Sequence, residues 1–208
     1  MVTDCFLCRS GNGRSNIPWQ DRPLWLDPRA GLVVPATGGL SIGYVLVAPL
    51  EHHLSLRQAV AMMGCSLLDF ISDVFLYLQE RLGEITFWEH GSPLEKDRPR
   101  AACVEHAHIH VAAGRWPLPL PPQGEAFPNL LEALTATQET LSEDGYLLLG
   151  WTDGKVYVGA DIMISQYYRR EWAILIGDPD RWDYLIAENP GITAATIQLL
   201  LPHLEPEA

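Results

Sequence analysis

Residues 106 to 112 read His-Ala-His-Ile-His-Val-Ala. Near neutral pH an imidazole can act as a nucleophile, a proton carrier or a metal ligand, so three in one short run form a chemical feature. In an extended strand side chains alternate between faces. His106, His108 and His110 would then share one side while Ala107, Ile109 and Val111 turn to a core. At about 3.3 Å of rise per residue, neighbouring imidazoles stand roughly 6 to 7 Å apart, close enough to serve one ligand, or a metal and a ligand together. A histidine tag would lie at a terminus and would not alternate with apolar residues.

A second chemical feature is the Cys-x-x-Cys pair of Cys5 and Cys8. Its redox form opens a helix after a strand in a thioredoxin-like pattern, a context this sequence lacks. A structural zinc needs four thiolate or imidazole ligands. The remaining two can come from His52 or His53 and from one of the three alternating histidines, giving a Cys2His2 set. Such a site would tie the N-terminal segment to the sheet. Cys65, in a helical pattern, and Cys103, just before the histidines and opposite His106 by alternation, read as core residues. Four unevenly spaced cysteines in a chain large enough to need no disulfides point to a reducing, cytoplasmic compartment.

The elements that must position these residues follow from pattern. Pro18, Pro23, Pro28 and Pro35 cut the first part into short extended pieces around 24–26 and 32–34. Gly43 to Pro49 is a short apolar strand, followed by Glu51-His52-His53. Ser55 with Gln58 has the form of a capping box, and apolar residues from Leu56 to Leu82 recur at helical spacing, predicting one long helix that stops near Gly83. A strand over Ile85–Glu89 and a loop from Gly91 to Ala101 lead into the histidines. Strand, long helix, strand, loop, strand with short connections predicts an α+β arrangement with an antiparallel sheet. Five prolines between Trp116 and Pro128 mark a boundary. Beyond it the pattern predicts a short helix around 130–141, a hairpin of 146–151 with 155–158, a helix capped by Ser165 and running to Gly177, and a terminal helix over 193–201. Trp151, Trp172 and Trp182 read as core.

Composition narrows the partners. The 208 residues are 48% hydrophobic and carry a net charge of -12, which repels a nucleic-acid backbone; no basic stripe with aromatics offsets it. A small anion in a local pocket is compatible. Neither an apolar run long enough for a membrane span nor a basic-then-apolar leader is present, so membrane insertion and export are not expected.

Residues 106–112 satisfy the pattern His-φ-His-φ-His-φ-φ, with φ apolar, and Gly43 to His52 form a Gly-x-φ-φ-φ-φ-Pro strand followed by a histidine. With the Cys5 and Cys8 pair before them, these blocks resemble, in order and over about residues 1 to 116, the zinc-bearing branch of the histidine-triad superfamily of nucleotide hydrolases and transferases. The resemblance implies a five-stranded antiparallel sheet with a long helix over 1–116 and a C-terminal α/β extension over 117–208. It further implies a structural zinc on Cys5, Cys8, His52 and His106, a small-molecule nucleotide as partner, and, from the family's habit, a homodimer. His108 matches the nucleophile that attacks the α-phosphorus, and His110 the third, supporting histidine.

Two departures from the family add candidates. Glu89-His90-Gly91 stands where many relatives have an Asn-x-Gly turn, and Ala101-Ala102-Cys103 where they have Gly-Gln-Ser/Thr, which makes Glu89, His90 and Cys103 candidate substrate contacts. The segment 165–183 resembles extensions of some triad proteins and would bring Arg169 or Arg170 to the phosphates from a helix N-terminus. The uridylyltransferase branch commonly has glutamine at the third triad position. His110 can relay a proton from water, which favours hydrolysis. A catalytically silent nucleotide-binding or sensor protein and a zinc-stabilised interaction module are the competing readings.

Overall fold

Period-two patterning gives the sheet two buried faces. In the computed structural model, which describes residues 5–13, 16–92, 104–140 and 145–201, Val33, Val45, Val47, Ile85, Phe87, Ile109 and Val111 face one core. Leu32, Val34, Leu46, Ala48, Trp88 and Ala112 face the other. Each strand thus splits its side chains between two layers.

The element order is α1 (Phe6–Gly11), β1 (Trp25–Asp27), β2 (Gly31–Pro35), β3 (Val45–Pro49), α2 (Leu56–Met63), α3 (Cys65–Leu82), β4 (Ile85–Gly91), β5 (Ile109–Ala113), β6 (Glu125–Phe127), α4 (Leu130–Thr140), β7 (Tyr146–Trp151), β8 (Val156–Ala160), α5 (Tyr167–Leu175) and α6 (Pro190–Leu200). The strands form one antiparallel sheet in the order β1-β2-β3-β5-β4-β7-β8-β6. Among the described residues eight strands, not the expected five, make up this sheet. The difference arises at β4, whose outer edge is paired with β7 over Thr86–Gly91. Covering that edge satisfies backbone groups that would otherwise template aggregation. The stretch beyond residue 116 therefore continues the sheet, and even the proline-rich segment contributes β6.

The helical pattern from Leu56 to Leu82 is broken once. Gly64, at φ +61° and ψ -137°, separates α2 from α3 in a conformation that favours glycine. Cys65, predicted as core, opens α3 just past this break and is exposed. Ser55 caps α2 as predicted: its side chain accepts from Gln58 N, while Gln58 Oε1 accepts from Leu54 N at 2.8 Å. α3 buries Leu67, Phe70, Ile71, Val74, Phe75 and Leu78 on the first face of the sheet, each worth about 1.5 to 3 kcal/mol of transfer energy.

α5 covers the second face, with Trp172 and Tyr168 buried against Tyr44 and Trp88. It begins after Gln166 in a left-handed conformation, without the side-chain cap predicted for Ser165. α6 is capped by Asn189 and reaches the turn before β3 through Thr196, whose hydroxyl accepts from Gly43 N at 3.0 Å. Among the described residues, no helix is long and apolar enough to cross a membrane.

Candidate active site and metal centre

The three alternating histidines divide. β5 starts only at Ile109, and the chain bends through residues 104–106. Ala107 N donates to His53 O at 2.6 Å, which anchors the approach to the strand. His106 thereby turns away from the row expected of a continuous strand and meets the N-terminal segment.

Cys5 is the N-cap of α1 and Cys8 lies one turn on, so both thiols stand on one side of the helix. His52 follows β3, whose last residue is Pro49. Cys5 Sγ lies 3.3 Å from His106 Nδ1, Cys8 Sγ 3.4 Å from the same nitrogen, and Cys8 Sγ 3.3 Å from His52 Nδ1. All four ligand atoms fall within 4.8 Å of one another. A tetrahedral zinc with bonds of about 2.3 Å to sulfur and 2.0 Å to nitrogen needs ligand separations of roughly 3.3 to 3.8 Å. The donor set fits for a second reason. His106 Nε2 lies 2.9 Å from the Pro49 carbonyl, which can only accept, so the proton sits on Nε2 and the Nδ1 lone pair faces the thiols. Burial pushes His106 down to about 4, keeping it neutral. Burial, with the neighbouring Cys5, pushes the Cys8 thiol up to about 11, a penalty that a cation between the sulfurs would reverse. His53 instead lies 3.6 Å from Glu51, outside this cluster.

His108 and His110 stay on the face covered by α5, and their hydrogen bonds have one consistent direction. His108 Nδ1 lies 2.6 Å from the His106 carbonyl, so it donates and leaves Nε2 with a lone pair. His110 Nε2, 3.0 Å from His108 Nε2, donates to it. His110 Nδ1 must then accept, and it does so from the Tyr44 hydroxyl at 2.6 Å. Arg169, which has only donors, gives NH1 to the Tyr44 oxygen at 3.2 Å. Trp88 stacks on His110 with ring planes 9° apart and locks its orientation. Burial lowers the basicity of both His108 and His110, leaving them neutral near pH 7.

This chain ends at a cavity of about 210 Å³ lined by His108, His110, Tyr44, Arg169, Asp21 and Phe6, among others. Arg169 also donates to the Trp182 and Gly38 carbonyls, both at 2.9 Å, so the cation is held rigidly beside the histidines. Arg170 lies elsewhere: it donates to Ser165 O at 2.8 Å and stacks on Trp182. Glu89 points to the opposite face of the sheet, where Oε1 accepts from Leu56 N at 2.7 Å and Oε2 accepts from the Tyr146 hydroxyl. His90 borders His108 and His110 in a smaller cavity. Cys103 lies outside the described residues.

Sequence reading missed Tyr44, Trp88 and Asp21. Tyr44 carried a usable signal, because by parity it shares a face with Leu46 and must bring its hydroxyl into whatever Leu46 lines. Trp88 is cross-strand to His110, a pairing that only the β4–β5 register reveals.

No family model matches the chain, and no curated protein matches it. Two crystal structures of yeast Ap4A phosphorylase overlap with it. The complex with AMP is 14% identical with a TM-score of 0.42, covering 73% of this chain and 63% of that one. The other structure is 13% identical with a TM-score of 0.34, covering 88% and 76%. The chain thus spans under two thirds of the length of the AMP-bound phosphorylase chain that it matches.

Proposed function

We propose that this protein is a histidine-triad enzyme that cleaves a nucleotide at its α-phosphate through a covalent nucleotidyl-histidine on His108, with water as the favoured acceptor. The carrying observation is the directed hydrogen-bond chain from Arg169 through Tyr44 and His110, which leaves a neutral His108 unprotonated on Nε2 beside the cavity, its lone pair held by the His110 N–H until a substrate takes that place. Nε2 attacks phosphorus, a nitrogen–phosphorus bond forms, and the leaving group departs with its electron pair. His110 Nε2, no longer bonded to His108, then has its proton for a phosphate oxygen, and Arg169 supplies positive charge nearby. In the second step a water oxygen bonds to phosphorus, the nitrogen–phosphorus bond breaks with its electron pair returning to Nε2, and the water gives up its proton to a neighbouring base.

In this reading Cys5, Cys8, His52 and His106 hold a structural zinc. When bound, the metal fixes His106 and hence the carbonyl that orients His108. Residues 1–116 would form the triad unit and 117–208 the extension that delivers Arg169; of the two candidate arginines, only Arg169 lines the cavity. The test is a panel of nucleotides, nucleoside phosphoramidates and nucleotide sugars, assayed for product release and, after a mildly basic quench, for protein carrying a nucleotidyl mass on His108. Adduct discharged by water supports the reading. Stable adduct discharged only by phosphate or a sugar phosphate makes the protein a transferase or phosphorylase, and binding without turnover makes it a sensor.

A further inference from the structure

β4 carries His90 two residues beyond Trp88, on the face that bears His108 and His110. His90 Nε2 lies 2.5 Å from Asp161 Oδ1, and both side chains are nearly buried, at 11% and 13% exposure. A carboxylate accepts, so Nε2 carries the proton and Nδ1 has the lone pair. Nδ1 is buried and has no partner. Carboxylate-oriented imidazole with a free nitrogen is the arrangement of a general base.

The His90 ring borders a cavity of about 10 Å³, together with Trp88, His108, His110, Gln166 and Tyr168, among others. A space of roughly this size holds a single water where polar partners surround it. Two other lining residues also have a buried, unpartnered polar atom, Gln166 Oε1 and the Tyr168 hydroxyl. The three atoms match one water in number and kind. Water can donate one hydrogen to His90 Nδ1 and the other to Gln166 Oε1, and accept from Tyr168, which leaves one lone pair on its oxygen. Burial pushes the Tyr168 hydroxyl far above its ordinary value, so it stays protonated and able to donate. Gln166 is held at φ 57°, a left-handed conformation that strains a non-glycine residue. Strain of this kind is retained where the surrounding structure needs the side chain in place.

We propose that His90, oriented by Asp161, holds one water together with Gln166 and Tyr168 and takes its proton when the water oxygen attacks the phosphorus of a nucleotidyl-His108. The inference rests on the reading under Proposed function. The step balances: an oxygen–phosphorus bond forms, the nitrogen–phosphorus bond breaks with its electron pair returning to His108 Nε2, and the proton moves to His90 Nδ1, where Asp161 stabilises the imidazolium.

The test is a rapid-quench time course on the full chain, with a substrate found in the nucleotide panel, comparing wild type with His90→Asn and Asp161→Asn. Formation of the adduct on His108 should stay within about threefold, while its decay should slow by about 10² to 10³ in His90→Asn and less in Asp161→Asn, within the range of general-base catalysis. Added imidazole should restore part of the decay. Adduct that forms and decays at equal rates in all three proteins, or formation and decay that fall together, overturns the inference and leaves the His108 mechanism standing. Turnover with no adduct on His108 in any of them overturns the underlying reading and the inference with it. A high-resolution crystal structure gives a readout independent of activity: a water within hydrogen-bonding distance of His90 Nδ1, Gln166 and Tyr168 is expected, and a dry cavity or a direct protein partner on Nδ1 overturns the inference.

Discussion

His106 and His108 stand two residues apart, are both buried, and are both kept neutral by burial, yet they are wired in opposite senses. His106 gives its Nε2 proton to the Pro49 carbonyl and turns Nδ1 to the thiols. His108 gives its Nδ1 proton to the His106 carbonyl and turns Nε2 to the cavity. In each case a backbone carbonyl decides which nitrogen keeps its lone pair, and the lone pair decides the task. One imidazole is thereby suited to a metal and its near neighbour to a reacting atom, without any difference in residue type.

The largest expected effect separates these tasks. His108→Ala should lower turnover by about 10⁴-fold or more, the scale of losing a covalent nucleophile, with zinc content unchanged at about one per chain and the thermal midpoint little moved. Cys8→Ser should do the reverse: zinc falls, and stability drops by several kcal/mol, because structural zinc binding is coupled to folding. Elemental analysis, a thermal melt and a turnover assay on both variants provide the comparison. If His108→Ala sheds zinc, or Cys8→Ser keeps both zinc and stability, the division of labour fails.

A smaller effect contrasts the two faces of β4. His90 looks to the triad, whereas Glu89 is buried beneath α2 with Tyr146. Burial pushes the Glu89 carboxyl up to about 7 from an ordinary 4.5, outweighing its hydrogen bonds and the nearby Arg57. Because the folded value is the higher, the folded state favours the neutral acid. That stability is fully present below about pH 4.5 and is lost as pH rises through 7. The stability advantage of the wild type over Glu89→Gln in denaturant unfolding should therefore fall by on the order of 2 kcal/mol between pH 5 and 8, the difference cancelling the opposite trend of the buried histidines common to both. Nucleotide affinity should not change in this variant. A lost affinity with a stability difference that does not change with pH would return Glu89 to the substrate.

These contrasts show where sequence is informative. The Cys5 and Cys8 pair declares itself by type and spacing, whereas spacing alone leaves His52 or His53 and one of three histidines as partners; the resemblance narrows these to His52 and His106, and the structure brings those four side chains together. The alternation that buries Ile109 and Val111 away from His108 and His110 is equally local. What spacing does not carry is pairing. β7 lies across from β4 only because of a register set some sixty residues later in the chain, and with it come the three added strands. Asp161 meets His90 through the same tertiary arrangement. Arg169 and Arg170 are adjacent in sequence, and only the docking of α5 decides which one faces Tyr44. The bend before β5 is a local feature, but its cause, the bond from Ala107 N to His53 O, is not.

The smallest effect tests the directed chain itself. Tyr44→Phe keeps the ring that stacks near Trp88 and His110 but removes the hydroxyl that donates to His110 Nδ1 and accepts from Arg169. With that donor gone, nothing on the Tyr44 side holds the His110 proton on Nε2, and the tautomer that places it on Nδ1 sets two lone pairs against each other at the His108 contact. The loss should be about 1 to 2 kcal/mol, the scale of one buried hydrogen bond. That corresponds to roughly five- to thirtyfold in turnover. Zinc content should be unaffected, because the hydrogen-bonded chain meets the metal cluster at the His106 carbonyl, away from the ligand atoms. Nitrogen-15 NMR of the imidazoles reads the cause directly: His110 should be protonated on Nε2 in the wild type and a mixture of tautomers in Tyr44→Phe. Unchanged tautomer and turnover would mean that Trp88 stacking and His108 alone orient His110, and that Arg169 acts on the cavity by its charge without passing through Tyr44.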